Sequence, residues 1–459
     1  MKIIVLNGSP KGVKSVTLQY VRYIQKKHPE HELKIIHVSQ LIKKIERDEP
    51  FFRSIIEDIE VSEAVIWATP VYYLLVPANY KRFIELIIAK GSGGAFNKKY
   101  TAVLTTSIHF FDHTAHNYMH AICDDLNMKF IGSYSADMYD LLKTEERKRF
   151  ETFAANFFSE IVNKNVSPKS FRSLQWRDFQ YHIGDRSEKI DLGRKNLLIL
   201  TDSIDMQTNL GKMIERFRRC FICDVDVINL HEIDIKGYCL GCLQCAYDNQ
   251  CAYEGKDEYI DVYKNRIMKA DILIYAGTIQ DRYLSSRWKM FFDRSFFKGH
   301  VPSLSDKQIG LIISGPLSQV PNLRQILEAY FEMQHTNLID IITDEFGDSS
   351  HIDEMLNSFA NRIIHQANGM FISAPTFLGV AGTKIFRDEI WGRLRFPFRA
   401  DFREYMNIGA FNFPQKNWKS RIQNLIMLFL SRSSIFRREV NKRMKDEMIK
   451  PFQKMFKHK

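Results

Sequence analysis

The chain has 459 residues, 45% hydrophobic and 26% charged, which allows two ordinary cores with residues left over. No apolar run reaches the roughly 18 residues of a membrane span, and Lys2-Ile3-Ile4-Val5-Leu6 opens as a strand and not as a signal peptide, so a cytoplasmic protein is expected. The net charge of +11 is concentrated at one end: residues 416–459 hold 13 Lys/Arg against 3 Asp/Glu (+10), and the remainder holds 52 against 51 (+1), so basicity implies no acidic ligand for the main body.

In chain order, continuously apolar strands are predicted near 2–6, 33–38, 64–68, 101–106 and 129–134, alternating with helices near 15–28, 52–60, 77–90, 114–126 and 143–164. Uninterrupted apolar strands belong to a parallel sheet covered on both faces, and five of them suggest the flavodoxin-like order 2-1-3-4-5. The pattern then repeats. Ser62 to Pro70 aligns with Ala270 to Thr278 at an offset of 208, and the same offset pairs Lys81, Phe83 and Glu85 with Lys289, Phe291 and Asp293. The opening strands, Ile3 to Leu6 and Leu197 to Leu200, align at 194, so the second copy is fourteen residues longer between its first and third strands. The expected class is α/β, with two tandem doubly wound parallel five-stranded sheets and a basic helical extension. Domains are expected at 1–165 and 191–370, a linker at 166–190, and the extension at 371–459.

The turn Asn7-Gly8-Ser9-Pro10-Lys11-Gly12-Val13-Lys14-Ser15-Val16-Thr17 joins the first strand to a helix. Its backbone N–H groups and helix dipole converge on one spot, where Ser9, Ser15 and Thr17 add hydroxyl donors; this suits a phosphate monoester. The Gly-Lys-Ser/Thr of a nucleotide-hydrolysing loop and the three-glycine dinucleotide fingerprint are both missing, which favours FMN over ATP or FAD. From this loop alone, a plain strand-to-helix turn with a capping serine reads as well. Two further loops leave the same sheet edge: Thr69-Pro70-Val71-Tyr72-Tyr73, and Thr105-Thr106-Ser107-Ile108-His109-Phe110-Phe111. Together they can wall a flat ring at the edge where this topology binds ligands. His109, His113 and His116 could shuttle protons there, or could be surface histidines. The second copy's loop, Thr201 to Asn209, lacks glycine and adds Asp202 and Asp205, which would repel a phosphate, although Ser203 and Thr208 could serve some anion.

Asn7-Gly8-Ser9-Pro10-Lys11, Pro70-Val71-Tyr72 and Pro77 to Ile84 together resemble the NADPH-dependent FMN reductase family of flavodoxin-like proteins. The resemblance covers about residues 1–165. Lys11 stands where that family usually has arginine. The likeness implies that Ser9, Lys11, Ser15 and Thr17 hold the FMN phosphate. It places Pro70, Val71, Tyr72, Tyr73 and the loop from Ser107 through His109 beside the isoalloxazine, with NAD(P)H as co-substrate.

Cys239-x2-Cys242-x2-Cys245-x5-Cys251 falls in the fourteen-residue surplus of the second copy. Two-residue gaps let three thiolates converge on one centre, and the fourth closes it. The motif resembles that of iron–sulfur flavoproteins, a branch of the same superfamily, where it ligates a [4Fe–4S] cluster. A structural zinc, a disulfide or a vestigial loop remain alternatives, although zinc sites usually separate their two knuckles further. Cys123, Cys220 and Cys223 read as core residues.

The expected function is an FMN-dependent NAD(P)H oxidoreductase passing electrons to the four-cysteine centre or to a small-molecule or redox-protein acceptor. A homo-oligomer is compatible with this and no nucleic-acid partner is expected. A carrier without its own substrate, or a scaffold with decayed sites, are the alternatives. From Trp418 onward a basic amphipathic helix pair is expected, centred on Ile422 to Leu430. The simpler reading packs it on the body with a solvated basic face; the other reading is contact with an anionic membrane or nucleic acid.

Overall fold

The computed structural model describes residues 1–184 and 189–456; part of the expected linker, 185–188, and the last three residues of the tail lie outside them. Residues 1–402 form one compact unit and 403–459 another. In the larger unit the chain runs β1 (Lys2–Asn7), α1 (Val16–Lys27), β2 (Glu32–Ile36), α2 (Val38–Arg47), α3 (Glu49–Glu60), β3 (Ala64–Pro70), α4 (Ala78–Ala89), β4 (Tyr100–Ser107), α5 (Asp112–Asp125), β5 (Lys129–Asp137) and α6 (Thr144–Val162). The second copy follows as β6 (Leu197–Thr201), α7 (Asn209–Arg218), β7 (Asp226–Asn229), the single turns α8 (Cys245–Asp248) and α9 (Tyr259–Val262), β8 (Ile272–Thr278), α10 (Ser286–Arg294), β9 (Gln308–Ser314), α11 (Pro321–Met333), β10 (Asn337–Thr343) and α12 (Ser349–Gly369).

Both sheets have five parallel strands in the expected order, β2-β1-β3-β4-β5 and β7-β6-β8-β9-β10. The fold class is as read. Alternate residues of each strand enter opposite cores: Ile4 and Leu6 face one way with Val65 and Trp67, while Ile3 and Val5 face the other with Ala64 and Ile66. The first of these cores continues without a break into the second copy, where it takes in Leu198, Leu200, Leu273 and Tyr275. Each copy therefore uses one sheet face for a private core and the other for a shared one.

The seam between the copies has the self-complementary form of a two-fold contact. The Ala78 N–H donates to the Asp293 carboxylate at 2.8 Å, and the Ser286 N–H donates to Glu85 at 2.5 Å. Both donor and acceptor are related by the offset of 208 found in the sequence. Within the seam, fully buried Lys81 bonds Glu85 (2.9 Å) and Asp281 (2.9 and 3.1 Å), and Lys289 donates to the Tyr72 carbonyl at 2.8 Å and pairs with Asp293.

Three expectations are corrected. Helix α2 is absent from the expected elements, although Val38, Leu41, Ile42 and Ile45 recur at amphipathic helical spacing and Val38, Ile42 and Ile45 are buried on one face; the strand expected at 33–38 ends at Ile36, and the helix begins two residues later. Cys223 is exposed, because the chain turns outward after α7, whereas Cys123 and Cys220 are buried as expected. Past α12 the chain forms a fifteen-residue helix, α13 (Phe377–Trp391), over residues 377–382, which read in the sequence as a loop or short element, then turns through 392–398, as that stretch suggests, into α14 (Arg399–Asn407). The smaller unit holds α15 (Trp418–Leu430) and α16 (Ser434–Met455), and Ile422 to Leu430 carry exposed apolar side chains. Among the described residues no helix is long and apolar enough to cross a membrane.

Candidate functional site

Parallel strands deliver the loops after β1, β3 and β4 to the same edge. Backbone and hydroxyl bonds join them there: Gly8 N–H to the Ala68 carbonyl (2.7 Å), Val71 N–H to the Thr106 carbonyl (3.1 Å), and Thr17 Oγ1 to Thr106 Oγ1 (2.6 Å). In the first loop Ser9, Ser15 and Thr17 are buried and Lys11 is exposed. Ser15 is the N-cap of α1, yet its hydroxyl makes no capping bond, so it stays available to an anion at the helix N-terminus. Ser9 Oγ accepts from the Lys11 N–H at 3.3 Å, and Thr17 is already tied to Thr106.

The second loop is a tight reversal. Tyr72 and Leu75 exchange backbone bonds at 2.8 and 3.1 Å, and Tyr73 and Leu74 take left-handed conformations. The third loop adds His109 and Phe111, also left-handed. Four non-glycine residues in this sparsely populated region, within two loops at one sheet edge, mark a place where backbone geometry is held against its preference. His109 is exposed and bonds Asp112 and Ser135; His113 is exposed too. His116 differs: it is largely buried, bonds Thr105 Oγ1 at 2.7 Å, and burial lowers its pKa. Helix α13 closes this side, with Phe386 against Phe110 (4.1 Å between ring centres), and Arg393 grips the Asp137 carboxylate with both terminal nitrogens.

All four cysteines, Cys239, Cys242, Cys245 and Cys251, line one pocket with Leu240, Tyr253, Arg294, Phe296 and Phe297. Arg294 ties the loop's ends together: it donates to the Gly237 carbonyl (2.9 Å) and to both Asp257 oxygens (2.8 and 3.0 Å). Burial pushes the Cys239 thiol up to about 12 and raises Cys245 as well, so a metal there must displace protons to bind. No three of the four sulfurs lie within 4.8 Å of one another, a spacing met among the described residues only by His28, Glu30 and His31 in the α1–β2 turn.

The cysteine loop lies against the loops after β1 and β3 of the first copy. Gly241 takes a φ of +60°, and a Cβ placed on it would fall 1.8 Å from Tyr72 Oη and 3.2 Å from Lys11 Cε. Burial, followed by the charges of Cys239, Asp293 and Cys242, raises the Tyr72 pKa well above 10. Residues read from two separate motifs thus share one wall.

The second copy's corresponding edge is occupied by its own chain. The segment entering from α6 sets Trp176 over Gly315, exchanges bonds between Gln175 and Gln319 (2.8 and 2.9 Å), and sends Arg177 to the Asp344 carbonyl (3.2 Å). Farther along it bonds Asn209 at the start of α7, through Phe179 O and Tyr181 N. The Thr208 hydroxyl caps α7 and that of Ser203 accepts from Asp205 N–H, so both are engaged locally. Sequence reasoning missed Arg294, Asp257 and Trp176; only the repeat alignment, which singled out Lys289 and Asp293, pointed toward the seam.

Residues 1–139 match the family model of NADPH-dependent FMN reductase, so the resemblance read from the loops holds over the first sheet. No curated protein matches the sequence. Solved structures similar to this chain include an NADH:FMN oxidoreductase in its apo form (14% identity, 36% of this chain and 91% of that one, TM-score 0.31). A flavoenzyme NAD(P)H:(acceptor) oxidoreductase from Paracoccus denitrificans is another (19%, 35% and 97%, TM-score 0.30), as is an oxidoreductase from Corynebacterium diphtheriae (14%, 36% and 99%, TM-score 0.30).

Proposed function

We propose that the chain is an FMN-dependent NAD(P)H oxidoreductase whose flavin lies at the edge of the first sheet and whose immediate acceptor is a [4Fe–4S] centre on Cys239, Cys242, Cys245 and Cys251. The observation that carries this reading is the contact of Tyr72 and Lys11 with Gly241, which puts the cysteine loop on the wall of the flavin edge. Bound FMN would supply what the side chains lack, accepting a hydride as two electrons and releasing them one at a time to a one-electron centre.

The chain's own residues bind and orient. The α1 N-terminus, the free Ser15 hydroxyl and Lys11 suit a phosphate, with Ser9 and Thr17 shaping the turn around it. Pro70, Val71 and Tyr72 on one side, and Ser107 and His109 on the other, would bound a flat ring, whereas the Tyr73 ring packs on Phe296 and Tyr330 of the second copy and its hydroxyl donates to the Gly299 carbonyl at 3.4 Å. Phe296 and Phe297 line the inner side of the sulfur pocket, whose Cys242 is exposed, and Arg294 ties the ends of its loop together. A small molecule or a redox protein would take the electrons onward.

Anaerobic purification followed by visible spectroscopy, iron and sulfide analysis and stopped-flow mixing with NADPH tests the proposal. Flavin absorbance that bleaches with NADPH, together with about four irons per chain, is expected. Flavin that NADPH leaves oxidised would make the protein a carrier, and a colourless protein that takes up no added FMN would make it a scaffold.

A further inference from the structure

We propose that the C-terminal helix pair is a lipid-surface anchor that lies in the interface of an anionic membrane. In α15 the run Ile422 to Leu430 has seven apolar residues among nine, and Leu425, Leu428 and Phe429 are 65%, 65% and 67% exposed. In α16 Phe436, Val440, Met444, Met448 and Phe452 recur at every fourth position, which lines them along one side of a helix. The two helices form a crevice lined by Met427, Leu428, Phe436 and Val440, yet Met448 and Phe452 remain 68% and 58% exposed. An apolar surface of this extent on two consecutive helices marks an interaction site.

Charge selects the occupant. Residues 416–459 carry a net +10, so a second copy of this segment would be repelled by its own kind. Nucleic acid would use the charge but leaves a nine-residue apolar run without a purpose. An anionic lipid surface uses both: apolar side chains enter the acyl boundary, and lysines and arginines meet the headgroups. At thirteen residues α15 is about 20 Å long, shorter than a bilayer core. The pair therefore lies along the surface and does not cross it. This inference stands apart from the flavin reading.

The test uses the full chain in flotation with vesicles of phosphatidylcholine alone or mixed with phosphatidylglycerol. Co-flotation with the mixed vesicles only, weakened by added salt, is expected. Leu425→Glu with Phe429→Glu should lower partitioning roughly tenfold or more, and Arg437→Glu with Arg438→Glu should also lower it, with circular dichroism unchanged in both. Failure to float with mixed vesicles overturns the proposal, as does a glutamate variant that floats like the parent. A dimer in sedimentation that disappears with Leu425→Glu, without vesicle binding, would assign the surface to a second copy. Tight binding to single-stranded RNA that survives Leu425→Glu, without vesicle binding, would assign it to nucleic acid.

Discussion

Gly241→Ala tests the shared wall directly. At φ +60° an added Cβ costs roughly 1–2 kcal/mol in backbone strain alone. It also arrives 1.8 Å from Tyr72 Oη, so the tyrosine must move, and overpacking of that kind costs about 1–3 kcal/mol. Gly255 provides the control, since its φ is +72° but nothing lies within 4 Å of an added Cβ. Gly255→Ala should therefore show the backbone cost and Gly241→Ala both costs, a gap of about 1–3 kcal/mol in urea unfolding. Displacement of Tyr72 should also weaken FMN binding, read by fluorescence quenching, by roughly tenfold if about 1.4 kcal/mol of contact is lost. Tyr72→Phe removes the nearest atom and should recover part of both losses. If the two alanine variants unfold alike and bind FMN alike, the cysteine loop does not rest on Tyr72, and the electron path from flavin to sulfur loses its basis.

Lys81→Met would leave Asp281 buried without its cation and Glu85 with Arg82 alone, at 3.2 Å; a loss of about 3–5 kcal/mol in urea unfolding is expected, and a loss below 1 kcal/mol would show that the seam tolerates a bare Asp281 carboxylate. Because the second copy's edge holds Trp176 and its neighbours, flavin released by acid and measured by absorbance should approach one FMN per chain, not two. Asp137 is held below its ordinary value of 3.8: burial works against this, but the Arg393 fork prevails. A depressed carboxylate stabilises above its unfolded value and loses that contribution as pH falls through the folded one. Arg393→Met should thus lower Tm at pH 7, with a gap near 1.5 kcal/mol that narrows below pH 3.8 and closes at lower pH; a gap independent of pH would mean that Arg393 acts by packing alone.

Local chemistry made the architecture legible. Strands such as Ile3 to Leu6 are apolar at every position because both sheet faces are covered, and the offset of 208 survives because each copy must rebuild the same strands and helices. The glycine-serine turn, the two aromatic loops and the cysteine spacing stand out for the same reason: each is a short segment whose chemistry is carried by neighbours in the chain. Helix α2 escaped because the stretch from Leu33 to Val38 reads as one strand and hides the helix start two residues after the end of β2, and Cys223 because the direction of a chain after a helix is set by packing.

What only the tertiary structure decided is which segments meet. Lys11, Tyr72 and Gly241 are far apart in sequence, and nothing in any one of them announces the others; the pseudo-two-fold seam through Ala78, Glu85, Ser286 and Asp293 brings them together. The same holds for the second copy's edge, where the loop carries carboxylates and only the fold shows Trp176, from the connecting segment, lying half-exposed over Gly315. Sequence periodicity records how each element buries its own face. Long-range contacts depend on how whole faces are matched in space, and that matching is a property of the folded chain.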